Sequence, residues 1–263
     1  VRNAVDAFRA AGVERINFDL IYGLPHQSVE TLVATVDLAS AMRPDRIALF
    51  GYAHVPWMAK KQRKISEADL PGGPARLDQA TAAAARLAAH GYGPIGLDHF
   101  ALPDDPMAVA WREGRLRRNF QGYTTDQAET LLGLGATSIG HTPEGYVQNI
   151  AETGAWARAV RAGSLPVAKG YRFKDDDRQR GAIIEALMCY GEVDLGAATG
   201  GPAEAAQAFA AEIAALAPMA ADGLVEIENG RLRLTAAGRP LVRVVAAVFD
   251  RYRKTSPARH SAI

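Results

Sequence analysis

Residues 15 to 28, Arg15-Ile16-Asn17-Phe18-Asp19-Leu20-Ile21-Tyr22-Gly23-Leu24-Pro25-His26-Gln27-Ser28, carry the reading that decides the fold. A β-rich run ends at Tyr22, Gly23-Leu24-Pro25 makes a turn, and Ser28 is placed to cap a helix whose apolar residues recur at helical spacing from Val29 to Met42. The same unit repeats. Arg46 to Tyr52 reads as a second buried strand, Ala75 to His90 as an alanine-rich helix closed by Gly91, and Pro94 to Leu97 as a third strand. Three strand–helix units predict parallel strands joined by right-handed crossovers, as in an open doubly wound sheet or part of a barrel. Before them, Ala7 to Gly12 reads as the end of an amphipathic helix with a C′ glycine, as if the chain were cut from a longer protein.

Both architectures put chemistry at the C-terminal ends of the strands. Asp19 lies inside the first strand, Tyr52-Ala53-His54 end the second, and Asp98-His99 end the third. The block Gly96 to Asp105 sets an acid beside an imidazole where an apolar run stops, and Arg118-Asn119-Phe120-Gln121-Gly122-Tyr123-Thr124-Thr125 reads as a polar and aromatic loop next to further arginines. Taken singly, each acid or histidine has a structural explanation in local pairing. A metallohydrolase would also use Asp and His on such a rim, but no His-x-His or His-Glu-x-x-His spacing supports one.

The 263 residues, 48% of them hydrophobic, suffice for one large core with a small appended domain. A net charge of +1 argues against a dedicated nucleic-acid binder. No apolar run approaches the ~20 residues of a membrane span, so a cytoplasmic protein acting as a monomer is expected. The single cysteine, Cys189, excludes an internal disulfide framework. Its apolar, helix-like surroundings suggest a small buried side chain.

From residue 141 to 253 the pattern becomes mainly helical, with helices over Arg178 to Tyr190, Pro202 to Met219 and about Gly238 to Tyr252. Between the last two, Leu224 to Leu234 reads as a hairpin turning at Asn229-Gly230, which gives a winged-helix-like outline. Such a module alone would suggest DNA binding, but Glu226 and Glu228 balance Arg231 and Arg233. A cover over the substrate side is the better expectation. Residues 254 to 263 read as a disordered tail.

Several blocks together resemble the oxygen-independent coproporphyrinogen III oxidases of the radical S-adenosylmethionine family. They are Phe18 to Pro25, Phe50 to Met58 with Lys60 to Ile65, the blocks at 96–105 and 118–125, Gly133 to Ile139, Gly145 to Asn149, Leu165 to Gly170 and Leu187 to Cys189. Related haem chaperones look similar at Tyr22-Gly23-Leu24-Pro25 but lack blocks such as 51–57 and 118–125. The resemblance implies the second half of an incomplete radical-SAM (β/α) barrel over residues 1–140. It further implies two bound S-adenosylmethionine molecules, and a 4Fe-4S cluster held by cysteines upstream of this chain. By the family pattern, Asp19 and Ala53 match contacts of the second S-adenosylmethionine and Ile139 a contact of the first. No metal ligand is expected here, and the fragment alone is expected to be inactive. Coproporphyrinogen III carries four propionates, so Arg118, Tyr123 and His99 are its candidate contacts, drawn from a region rich in arginine at 112, 115, 117 and 118.

Overall fold

In the computed structural model, which describes residues 1–253, helix α1 (Arg2–Ala10) precedes strand β1 (Asn17–Tyr22). The expected turn then leads into α2 (Val29–Ser40), and Ser28 forms a reciprocal capping box with Thr31. Strand β2 (Arg46–Gly51) lies parallel to β1, with Asp19 opposite Ala48, and α3 (Gly73–Ala89) follows. Thus far the alternation read from the sequence holds.

The third unit departs from it. Strand β3 (Gly93–Ile95) turns at Gly96 into β4 (His99–Ala101), which inserts antiparallel between β2 and β3 to give the order β1-β2-β4-β3. The third strand therefore keeps its expected direction but is displaced outward by one position. Gly96 makes the reversal possible. Its φ is +59°, and a Cβ there would lie 2.2 Å from the Tyr123 ring, so the residue must be glycine on two counts. Asp98-His99 consequently begin β4 instead of ending β3. Because β4 runs back along β2, they still reach the rim where β2 ends.

The two faces of this sheet differ. Phe18, Leu20, Ile47, Leu49 and Phe100 pack against Leu32 and Val36 of α2 and Ala83 and Leu87 of α3. Asp19, Ile21 and Phe50 face the other way and are exposed. On the β3–β4 half that second face is covered. Helix α4 (Pro106–Arg112) contributes Met107 and Ala108, and a hairpin of β5 (Arg117–Asn119) and β6 (Gly122–Thr124) replaces the loop expected there. Asp105 ties α4 down: its carboxylate caps Met107 N and takes both oxygens to Arg46 at 3.0 Å.

A second sheet, not anticipated within the helical region, comprises β7 (Ile139–Thr142), β8 (Gly145–Asn149) and β9 (Val167–Arg172), with α5 (Thr153–Arg161) between the last two. Beyond it α6 (Asp177–Tyr190) ends at Gly191 with φ +74°. There follow β10 (Glu192–Asp194), α7 (Leu195–Thr199), α8 (Pro202–Ala208) and α9 (Ala210–Ala221). The long helix expected from Pro202 is thus broken at Phe209. Strands β11 (Val225–Glu228) and β12 (Arg231–Leu234) form the expected Asn229-Gly230 hairpin, both turn residues having positive φ, and β10 adds a third strand to it. A 3₁₀ turn at Arg239–Leu241 and α10 (Val242–Val248) complete the fold. Phe209, Leu187, Leu216, Val245 and Phe249 fill its core at 0–1% exposure. The tail expected at residues 254–263 lies outside the described residues.

Candidate functional site

Sheet register collects the sequence candidates. Asp19 pairs with Ala48, Ala48 with His99 and His99 with Ile95, so Asp19 and His99 share one row of one face with only a methyl group between them. Two strand spacings separate them, about 10 Å. Asp19 is exposed and its Oδ1 accepts from Asn17 Nδ2 at 2.8 Å.

His99 is boxed in. Its Nδ1 meets Asp98 Oδ1 at 2.7 Å, and its ring stands edge-on to Phe50 at 6.0 Å and to Tyr123 at 5.2 Å. The pairing with Asp98 leaves Nε2 without a hydrogen-bond partner among the described residues. Tyr123 fixes this corner through its hydroxyl, which accepts from Leu97 N and donates to Met188 O, both at 2.9 Å. Burial pushes the Tyr123 phenol up to about 12. With the hydroxyl committed twice, only the ring of Tyr123 can face a ligand.

Arg118 stands opposite Tyr123 in the hairpin, with its guanidinium 5.5 Å from the ring centre. The neighbouring arginines are occupied: Arg112 donates to Pro103 O, Arg115 pairs with Glu113, and Arg117 pairs with Glu185 at 2.9 Å. Arg118 alone of the four has no carboxylate or carbonyl partner for its guanidinium among the described residues.

Ala53 lies just past β2 and is exposed, between peptides that are firmly held. Gln62 donates to Ala53 O at 3.1 Å, and Arg76 donates to Tyr52 O at 2.8 Å. Arg76, overlooked in the sequence, crosses the ends of β1 and β2, where a Cβ at Gly51 would lie 2.8 Å and one at Gly23 3.1 Å from its guanidinium. That coupling spans fifty residues and leaves no local pattern. Ile139 belongs to the other sheet. The loop before it is knitted by Asn149 Nδ2, which donates to Gly133 O, Gly135 O and Ser138 Oγ. Phe120 links the two regions by an edge-on contact with Tyr146 at 4.9 Å, and Tyr146 in turn meets His141 at a tilt and Phe173 edge-on.

The structure thus brings Asp19, His99, Tyr123 and Arg118 to one wall, leaves Ala53 on the adjoining rim and keeps Ile139 on a separate sheet. Cys189 is buried with its thiol pushed up to about 12 by desolvation, and no three His, Cys, Asp or Glu side chains among the described residues converge as metal ligands. These residues do not fit an iron–sulfur cluster. Asp19 offers an exposed carboxylate on the open face, and Ala53 a small exposed side chain at the end of β2. On the winged hairpin, Arg233 pairs with Glu226 and Arg231 with Asp194, so its cations are largely spent within the protein. No helix among the described residues is long and apolar enough to cross a membrane.

A mixed four-stranded sheet, open over the β1–β2 half of one face and followed by a helical unit with a three-stranded wing, defines an α/β architecture. The coordinates superpose on coproporphyrinogen III oxidase (HemN) from Escherichia coli, described as a radical SAM enzyme, with a TM-score of 0.88 and 38% identity over 96% of this chain and 58% of that one. Residues 173–241 match the HemN C-terminal domain. Oxygen-independent coproporphyrinogen III oxidases of Bradyrhizobium diazoefficiens and Cereibacter sphaeroides are 51% and 47% identical to it over 98% and 99% of its length. The curated proteins similar to this chain are thus named oxygen-independent coproporphyrinogen III oxidases, and the chain spans 57% of the length of these two relatives.

Proposed function

We propose that the protein carrying this chain is an oxygen-independent coproporphyrinogen III oxidase acting in the cytoplasm as a monomer, and that this chain supplies its substrate-side wall and part of its S-adenosylmethionine site. The reaction is oxidative decarboxylation of two propionates of coproporphyrinogen III to vinyls. Each loses a hydrogen atom from the β-carbon, carbon dioxide and one further electron, giving protoporphyrinogen IX. Bound S-adenosylmethionine supplies the hydrogen abstraction. In this reading Asp19 and Ala53 hold the second of two such molecules: the carboxylate accepts from ribose hydroxyls or pairs with the α-ammonium, and the small side chain admits the ligand to the backbone. Ile139 contacts the first. No step is assigned to the cluster, for which the described residues offer no ligands.

The single observation that carries the substrate assignment is the unpaired guanidinium of Arg118, set over an aromatic ring beside the His99 corner. It is placed to fork onto a propionate while Tyr123, and Phe120 at 58% exposure, present ring surface to the tetrapyrrole. His99, oriented by Asp98, offers Nε2 to a second carboxylate or its proton. Substituting Arg118→Ala in the full-length enzyme should raise KM for coproporphyrinogen about tenfold, the share of one partly exposed charged hydrogen bond, with S-adenosylmethionine binding intact. An unchanged KM would remove Arg118 from the site.

A further inference from the structure

Outside the inner face of the sheet lies a groove of about 800 Å³, bounded by α3, the rim of β2 and the turn into α10. Its size falls within the ~300–1,000 Å³ of small-molecule sites. Leu77, Ala80 and Ala84 of α3 line one wall, and Leu97 and Pro240 another, so its body is apolar. Its charge is one-sided. Arg239 and Arg243 line it, beside Arg76 held on Tyr52 O, against the single carboxylate Asp98, which is already engaged with His99. Arg243 approaches Asp98 only to 3.9 Å, and Arg239 is exposed and has no carboxylate partner among the described residues. An apolar wall with surplus guanidinium selects a ligand with an apolar body and carboxylate groups.

We propose that this groove is a second tetrapyrrole site, taking the macrocycle along α3 with propionates on Arg239 and Arg243. The identity of the ligand rests on the function proposed above; the groove and its charge do not. Small residues at 80 and 84 leave room for a flat ring, and the exposed arginines reach carboxylates at the mouth. The groove adjoins the first site at Ala53 and Asp98, but its body along α3 and its mouth at Arg239 and Arg243 do not include Arg118, Tyr123 or His99.

Coproporphyrin III, the air-stable oxidised form that keeps all four propionates, can be titrated into the full-length protein by its absorbance. Etioporphyrin, the same macrocycle without carboxylates, serves as the control. We expect two coproporphyrin III molecules per chain. Arg239→Glu with Arg243→Glu, and separately Ala84→Trp, should each weaken one of them at least tenfold, Arg118→Ala should weaken the other, and etioporphyrin should leave the groove empty. One molecule, lost with Arg118→Ala and indifferent to both groove variants, overturns the groove site while the proposed function stands. One molecule lost only with the groove variants supports the groove and removes the Arg118 wall as a substrate site. Etioporphyrin binding as well as coproporphyrin III, or no binding at all, refutes the groove proposal.

Discussion

The four-stranded sheet and the unit from α6 to α10 use similar amounts of secondary structure to opposite ends. The second closes on itself: Phe209 and Phe249 meet at 5.8 Å, at 1% and 0% exposure, amid aliphatic side chains from helices α6 to α10 and the wing. The first buries one face under α2 and α3 and leaves the β1–β2 half of the other open, with Ile21 at 44% and Phe50 at 37% exposure beside Asp19. The larger enclosed core therefore lies in the second unit, while Asp19 and His99 lie on the sheet face that is left partly open. A polar residue such as Asp19 tolerates exposure, whereas no carboxylate could occupy the position of Phe249.

Three changes test that contrast, beginning with the largest. Phe249→Ala empties a fully buried ring from the closed core and should cost about 3–5 kcal/mol, read as a loss of denaturant midpoint with the m-value unchanged. A cost below about 1 kcal/mol would mean that the core repacks freely. Next, Gly96→Ala forces a Cβ into the Tyr123 ring and strains a left-handed backbone, for about 1–3 kcal/mol. Because it displaces the corner that holds His99, it should also raise KM for coproporphyrinogen more than Phe249→Ala does at equal residual stability. Equal effects on KM would erase the distinction between core and site.

The smallest effect is electrostatic and lies on the helix side of the sheet. Asp37 joins α2 to α3 through Arg86 and then His90, and those hydrogen bonds hold its carboxyl down at about 2. A depressed carboxyl contributes stability above its unfolded value of about 4 and loses it as the pH falls toward 2. Asp37→Asn should therefore melt earlier than the parent at pH 7, with the difference closing between pH 4 and pH 2. A difference constant with pH would show that the pair has no linkage to folding.

Much of this fold was legible because it is local. Ser28, Gly91 and Asn229-Gly230 each punctuate an element by backbone geometry that neighbours in sequence decide. The strand insertion was not, since β4 is three residues long and its place between β2 and β3 depends on Gly96 yielding to Tyr123, twenty-seven positions away. The sheet of β7 to β9 was hidden for a related reason: Val167 to Arg172 is exposed throughout and shows no alternation to read. At the site, Asp19 and His99 were found by type and position, but their common row depends on register. Arg118 was singled out by its place in the block at 118–125, and the structure adds that its three neighbours already have partners.

Helix α6 carries a further consequence. Its last carbonyls would ordinarily go to water or a cap, yet Met188 O receives the Tyr123 hydroxyl and Cys189 O the Trp111 indole, both from the sheet side of the molecule. Opening either region exposes groups that the other had satisfied. The closed unit and the open sheet should accordingly share part of one unfolding free energy, and amides near the end of α6 should exchange with solvent at a rate that reports on the order of the His99 corner.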